Sequence, residues 1–194
     1  MVSLVLLTAL LQLTVLASAT PKQHDYTDKL TSKKYVNSLE YSLSDERKFR
    51  ELSYRWTHAW DQKDRATWMA ITAPEVIANY TDYPAVGTLT ISSPGNIFDH
   101  SFDNTGLGDK RLHTQHFLGS SLFTHISKTK AKGDWQVRAR HVREVNGEEH
   151  QWDSSAYVEF TYELINENWK ISGLRPHTVV ATTGRPEEVI GLFP

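Results

Sequence analysis

Two imidazoles stand out for the company they keep. In Trp135-Gln-Val-Arg-Ala-Arg-His141, strand alternation puts Trp135, Val137, Ala139 and His141 on one face and Gln136, Arg138 and Arg140 on the other. In Leu112-His-Thr-Gln-His-Phe-Leu118 the same alternation groups His116 with Leu112, Thr114 and Leu118, and sends His113 the opposite way with Gln115 and Phe117. One imidazole on an apolar face is most often a hydrogen-bonded core group. Two on successive strands can face a single interior, where they could move protons near neutral pH. Asp61, in Trp60-Asp-Gln-Lys-Asp64, reads by itself as a helix end or as a cap for the next helix. If that helix crosses the sheet, its carboxylate could instead hold an imidazole in one tautomer and stabilise the charged form. Tyr80 shares a strand face with Val76 and Ala78, which points its phenol inward. Asn79 and Thr81 of the sequon Asn79-Tyr-Thr81 then point outward, where Asn79 could carry a glycan in a secretory lumen.

Other chemistries find no support. The chain has no cysteine, which excludes disulfides, thiolate metal sites and thiol nucleophiles. It has no Gly-x-Ser-x-Gly elbow, no His-Glu-x-x-His helix and no Gly-rich phosphate loop, so neither a metal nor a nucleotide cofactor is expected. Lys and Arg number 21 against 23 Asp and Glu, without the basic stripe that nucleic-acid binding needs. The expected partner is a small, mostly uncharged molecule. Trp56, Trp60 and Trp68 fall at helical spacing and read first as core.

The elements that must position these groups can be read from periodicity. Residues 1–19 are free of charge and largely apolar, ending in Ala17-Ser-Ala19, and read as a cleaved signal peptide that directs the chain to the secretory pathway with no membrane anchor after cleavage. Residues 20–43 read as a polar extension, 44–182 as the domain and 183–194 as a tail. Ser44 could cap a helix in which Phe49, Leu52, Trp56 and Ala59 recur every three or four residues up to Asp61. A shorter helix is expected over Arg65–Ile71, and a third after Ser93-Pro94. Strand-like runs follow at Val76–Tyr83, Leu112–Leu118, Leu122–Lys128, Trp135–Val145, Ser155–Leu164 and Trp169–Val180, with turn signals at Asn146-Gly147 and Asn166-Glu-Asn168. Helices first and antiparallel strands after them indicate an α+β fold.

At these residues the chain resembles scytalone dehydratase, a family of the nuclear-transport-factor-2-like (SnoaL-like) superfamily. The segments that carry the likeness are Trp56 to Asp64, Tyr80, Thr114-Gln-His-Phe-Leu-Gly119, Arg138 to His141 and Trp169 to Pro176. The resemblance implies a cone-shaped α+β barrel, a homotrimer, no cofactor, and loss of water from a cyclic polyketide-type hydroxy-ketone. It further implies His116 as the acid–base group, His141 paired with Asp61, Tyr80 polarising the substrate carbonyl, and Ser155 in contact with substrate. Two positions depart from the pattern: Trp60 stands at a family tyrosine and Tyr157 at a family asparagine. An indole donates a hydrogen bond and accepts none, so Trp60 changes how the pocket can bind. An isomerase or cyclase with the same pocket, and a non-catalytic binder of small apolar ligands, are the alternatives. A second expectation concerns assembly: with Ser155 facing the pocket, the row Ala156, Val158, Phe160, Tyr162 and Leu164 would lie on the outer side and need a partner subunit.

Overall fold

A computed structural model describes residues 33–83, 86–104 and 106–190, with side chains from residue 43 onward. The expected leader at 1–19 and most of the expected extension fall outside the described residues. Helix α1 spans Lys33–Asp61 and starts eleven residues before the expected Ser44. Neither Gly nor Pro interrupts residues 33–43, so nothing in that run stops the helix before Ser44. The Gln62 N–H reaches the His58 carbonyl and the Asp64 N–H the Ala59 carbonyl at 2.7 Å, closing the helix end around Lys63, whose φ of 54° turns the chain. Asp64 caps α2 (Arg65–Ile71) by accepting from the Thr67 N–H at 3.0 Å and from its hydroxyl at 2.6 Å. Ser93 caps α3 (Pro94–Ser101) with proline in the first turn.

The six strands are β1 (Thr72–Asn79), β2 (Leu89–Ser92), β3 (Leu112–Ser127), β4 (Lys130–Val145), β5 (Glu148–Ile165) and β6 (Asn168–Gly184). They form one sheet in the order β2-β1-β6-β5-β4-β3, antiparallel except for β1 against β6. The α+β class stands, but the sheet is open, with β2 and β3 as its edges, so it is not a closed barrel. Two expected strands are one: β3 runs through both, with a register shift between Leu118 and Ser121. Strand β2 lies outside the sequence reading: Leu-Thr-Ile-Ser alternates, but over only four mostly exposed residues, the shortest run that can signal a strand. The β4–β5 hairpin turns at Asn146-Gly147, both with positive φ, which is the requirement Asn-Gly satisfies at least cost.

From Phe49 onward, helix α1 packs across the inward face of the sheet. Phe49, Leu52, Trp56, Ala59 and Trp60 share one buried cluster with Trp135, Val137, Val158, Phe160 and Tyr162. Phe49 stacks on Tyr162 at 4.5 Å between ring centroids, and Ser53 and Tyr162 share a buried hydrogen bond of 2.7 Å. The row expected to lie outside is therefore inside: Ala156, Val158, Phe160 and Tyr162 are all buried. The outer face of β5 is polar instead, with cross-strand ion pairs Arg138–Asp153, Lys132–Glu159 and Lys130–Glu163 at 2.8–2.9 Å. That arrangement removes the apolar-row argument for a trimer, which then rests on resemblance alone.

Candidate active site

Asp61 ends α1 beside β3, and its carboxylate meets three donors there. The backbone N–H of His116 lies 2.9 Å from Oδ2, the Thr114 hydroxyl 3.1 Å from Oδ1, and His116 Nδ1 2.7 Å from Oδ1. A carboxylate at Nδ1 fixes the proton there in the neutral ring and leaves Nε2 with the lone pair. The His116 side chain is 12% exposed and that of Asp61 13%, so the pair is largely shielded yet not sealed. Trp56 abuts the imidazole edge-on at 4.9 Å.

This partner differs from the one the resemblance implied. Asp61 bonds His116, while His141 takes the backbone carbonyl of Trp152 as the partner of its Nδ1, at 3.3 Å. The reason is register: Thr114 pairs with His141 and His116 with Ala139, so His116 sits one row away, level with the end of α1. His141 stacks on the Trp152 indole at 4.6 Å and lies 6.0 Å from the His116 ring. Burial, followed by the nearby His116, pushes His141 down to about 4, so it stays neutral and presents Nε2 as an acceptor.

Tyr80 follows the end of β1, half-buried between the two apolar clusters and 6.3 Å from the Tyr83 ring. Burial raises both phenols above their usual range, which keeps each one a donor. Trp60 packs among Trp68, Phe98 and Phe102, and its indole N–H, like that of Trp56, is buried and meets no acceptor among the described residues. Asn79 lies on the other face, its Oδ1 taking the Thr81 N–H at 3.1 Å and hydroxyl at 2.7 Å.

Ser155 and Tyr157 do not belong to this site. Cross-strand pairing puts Trp152 opposite His141 and Ser154 opposite Ala139, so the even-numbered residues of β5 face inward. Ser155 and Tyr157 lie on the outer face, where Tyr157 sits against His177 at 6.0 Å. The inward serine is Ser154, and the residue two further along that face is Ala156. The apolar alternation of β5 was the signal that could have found Ser154. A shallow groove on the outer face, bordered by Ile77, Lys132, Glu159 and Gly173, is separate from the histidines. Among the described residues no group of three or more His, Asp or Glu side chains is placed to hold a metal ion.

A helix laid over an open sheet, with a carboxylate–imidazole pair between them, makes this a small α+β domain. The SnoaL-like domain pattern matches residues 41–175, and the chain belongs to that family. It is similar to scytalone dehydratase of Pyricularia oryzae, 27% identical over 147 residues (72% of this chain, 83% of the relative). It is also similar to scytalone dehydratase of Colletotrichum orbiculare, 27% identical over 128 residues (63% and 67%), and to a dehydratase of Pestalotiopsis microspora, 30% identical over 128 residues (63% and 79%). Among solved structures, a Kribbella flavida protein superimposes with a TM-score of 0.60 at 15% identity, covering 73% of this chain and 95% of the other. Hexachlorocyclohexane dehydrochlorinase of Novosphingobium barchaimii gives 0.59 at 15% identity, covering 79% and 97%. These two likenesses establish the fold.

Proposed function

We propose that the protein is a lyase that removes water from a cyclic polyketide-type hydroxy-ketone, with His116 carrying the proton. The observation that supports this most is the Asp61–His116 hydrogen bond of 2.7 Å on the same inward face as a neutral His141. His116 Nε2 takes the proton from the carbon next to the carbonyl, and the resulting imidazolium is held by Asp61. It then returns that proton to the departing hydroxyl. A C–H and a C–O bond break, a carbon–carbon double bond forms, and water leaves with His116 restored. Tyr80 donates to the carbonyl oxygen as enolate charge develops. His141 accepts from a substrate hydroxyl through Nε2.

The dehydratases among the relatives support the reaction class. The same reading takes the chain into the secretory lumen with a glycan on Asn79. Its support is the leader sequence and the outward position of the sequon. Incubating the purified chain with scytalone and related cyclic hydroxy-ketones tests the reaction: a product lighter by one water is expected. A product of unchanged mass would make the enzyme an isomerase or cyclase, and no conversion of any member would overturn the reading.

A further inference from the structure

The outer face of the sheet carries exposed apolar surface at its β1–β2 end, away from the histidines. Ile77 pairs with Ile91 and Asn79 with Leu89, and residues paired directly across strands share a face. Ile77 is 44% exposed, and Leu89 and Ile91 are each 56% exposed. Strand geometry sets Ile77 roughly 7 Å from Asn79 along β1 and Leu89 about 5 Å to its side. The sequon asparagine thus stands inside the apolar patch, with aliphatic side chains behind it and beside it. On its β6 side it also lines the groove that runs past Ile77, Gly173 and Arg175.

The charges of the groove limit what can fill this surface. Lys132 pairs with Glu159 at 2.8 Å, Lys130 with Glu163 at 2.9 Å, and Arg175 with Asp82. That leaves exposed Glu75 as the lining charge without an ion pair among the described residues, and one such carboxylate holds a free ligand weakly. A tethered occupant needs no such hold, because attachment raises its local concentration to about the millimolar range and makes weak contacts sufficient. Asn79 supplies the tether. Its Oδ1 takes the Thr81 N–H at 3.1 Å and the Thr81 hydroxyl at 2.7 Å, which orients the carboxamide. Its Nδ2, the atom to which a glycan is joined, has no partner among the described residues. A pyranose ring then offers C–H groups to the aliphatic side chains and hydroxyls to the charged rim of the groove.

We infer that an N-linked glycan on Asn79 folds back over Ile77, Leu89 and Ile91, and that its first sugar rings are the cover of this end of the outer face. The inference rests on the secretory reading given above and goes beyond it, since the glycan becomes a packed part of the domain. A second copy of the chain is thereby kept off the same surface.

The test uses the full chain, expressed with its own leader in a glycosylating yeast and compared before and after a peptide N-glycosidase removes the glycan and converts Asn79 to aspartate. Intact mass reads attachment. Removal is expected to lower the melting temperature by about 2–4 °C, the shift that uncovering a few aliphatic side chains gives in a chain of this length. Asn79→Gln, which prevents attachment without adding charge, should melt with the deglycosylated form. Ile77→Thr combined with Ile91→Thr keeps β-branching but removes the apolar bed, and in that background removing the glycan should leave the melting temperature almost unchanged. Equal shifts in the two backgrounds would overturn the inference and leave the secretory reading standing. A secreted chain that carries no glycan would overturn both. Light scattering adds one further outcome: if the glycosylated chain assembles and the two threonine substitutions break the assembly, the face belongs to a second copy and the inference falls. None of these results bears on the lyase reading, whose His116 lies on the opposite face.

Discussion

Asp61 grips both the ring and the backbone of His116: Oδ1 lies 2.7 Å from Nδ1, and Oδ2 lies 2.9 Å from the His116 main-chain nitrogen. One carboxylate thus fixes where the imidazole sits and which nitrogen carries its proton. Asp61→Asn retains an oxygen for the backbone N–H but loses the charge and can present an NH2 group to Nδ1, favouring the wrong tautomer. Turnover should fall by about 10²-fold or more with little change in folding, measured as kcat on a hydroxy-ketone substrate. Because the two residues act as a unit, Asp61→Asn combined with His116→Asn should be hardly worse than His116→Asn alone.

His116→Asn isolates the proton carrier. It keeps polarity and approximate size, and its amide can still lie beside Asp61, but it can neither take nor return a proton near neutral pH. Turnover should drop by roughly 10²–10⁴-fold. A folded His116→Asn variant with near wild-type turnover would move the proton transfer to Tyr80 and bound water.

The inward placement of His116 and His141 was legible because period-two alternation survives in both strands: Leu112, Thr114 and His116, like Val137, Ala139 and His141, really do share faces. Which of two faces turns inward is a tertiary fact, and a one-residue shift exchanges them. The resemblance implies Ser155 at the substrate, but the apolar row from Ala156 to Tyr162 turns inward and takes Ser154, not Ser155, with it. The Asp61–His116 pair was equally hidden. It depends on where a helix end meets the β3–β4 register, and nothing in the spacing of Asp61, His116 and His141 reports that. Strand β2 and the early start of α1 escape a sequence reading for local reasons: β2 alternates over only four residues, and the apolar residues of 33–43 do not continue the spacing of Phe49, Leu52 and Trp56.

Close packing on the inward face can be tested away from the histidines. A Cβ on Gly133 would come within 2.8 Å of the Phe123 ring and 3.0 Å of Tyr162, both held in the aromatic cluster around Phe49. Gly133→Ala should therefore destabilise the fold by about 1–3 kcal/mol through overpacking. Urea unfolding followed by tryptophan fluorescence would read the loss, and an unchanged midpoint would show that the cluster can yield.

The C-terminal segment is tied down by a buried charge. Arg143 is fully buried on the inward face of β4, paired with the Asp109 carboxylate, and its Nη1 donates to the Val189 carbonyl at 3.1 Å. Removing the Asp109 carboxylate takes away the counter-charge beside a fully buried guanidinium. Asp109→Ala should therefore lower the unfolding free energy by about 3 kcal/mol or more, read by urea unfolding, and an unchanged midpoint would contradict this account.

His141 makes stability depend on pH in a defined direction. Its ordinary value is 6.5, and burial holds it at about 4 in the folded protein. Between those values the unfolded chain binds a proton that the native state refuses, so protonation favours unfolding as the pH falls. Above about pH 7 both states carry neutral imidazole and the stabilisation relative to acid is complete. It is lost progressively from pH 6.5 down to about 4. At roughly 1.4 kcal/mol per tenfold change in proton affinity, the whole window is worth about 3 kcal/mol. His141→Gln cannot titrate and should flatten the slope of unfolding free energy against pH in this range, even if the variant is less stable throughout. Urea titrations of both proteins at half-unit intervals would measure the slopes. Equal slopes would mean that the buried imidazole accepts its proton inside the fold, and that His141 is not the fixed neutral acceptor the site requires.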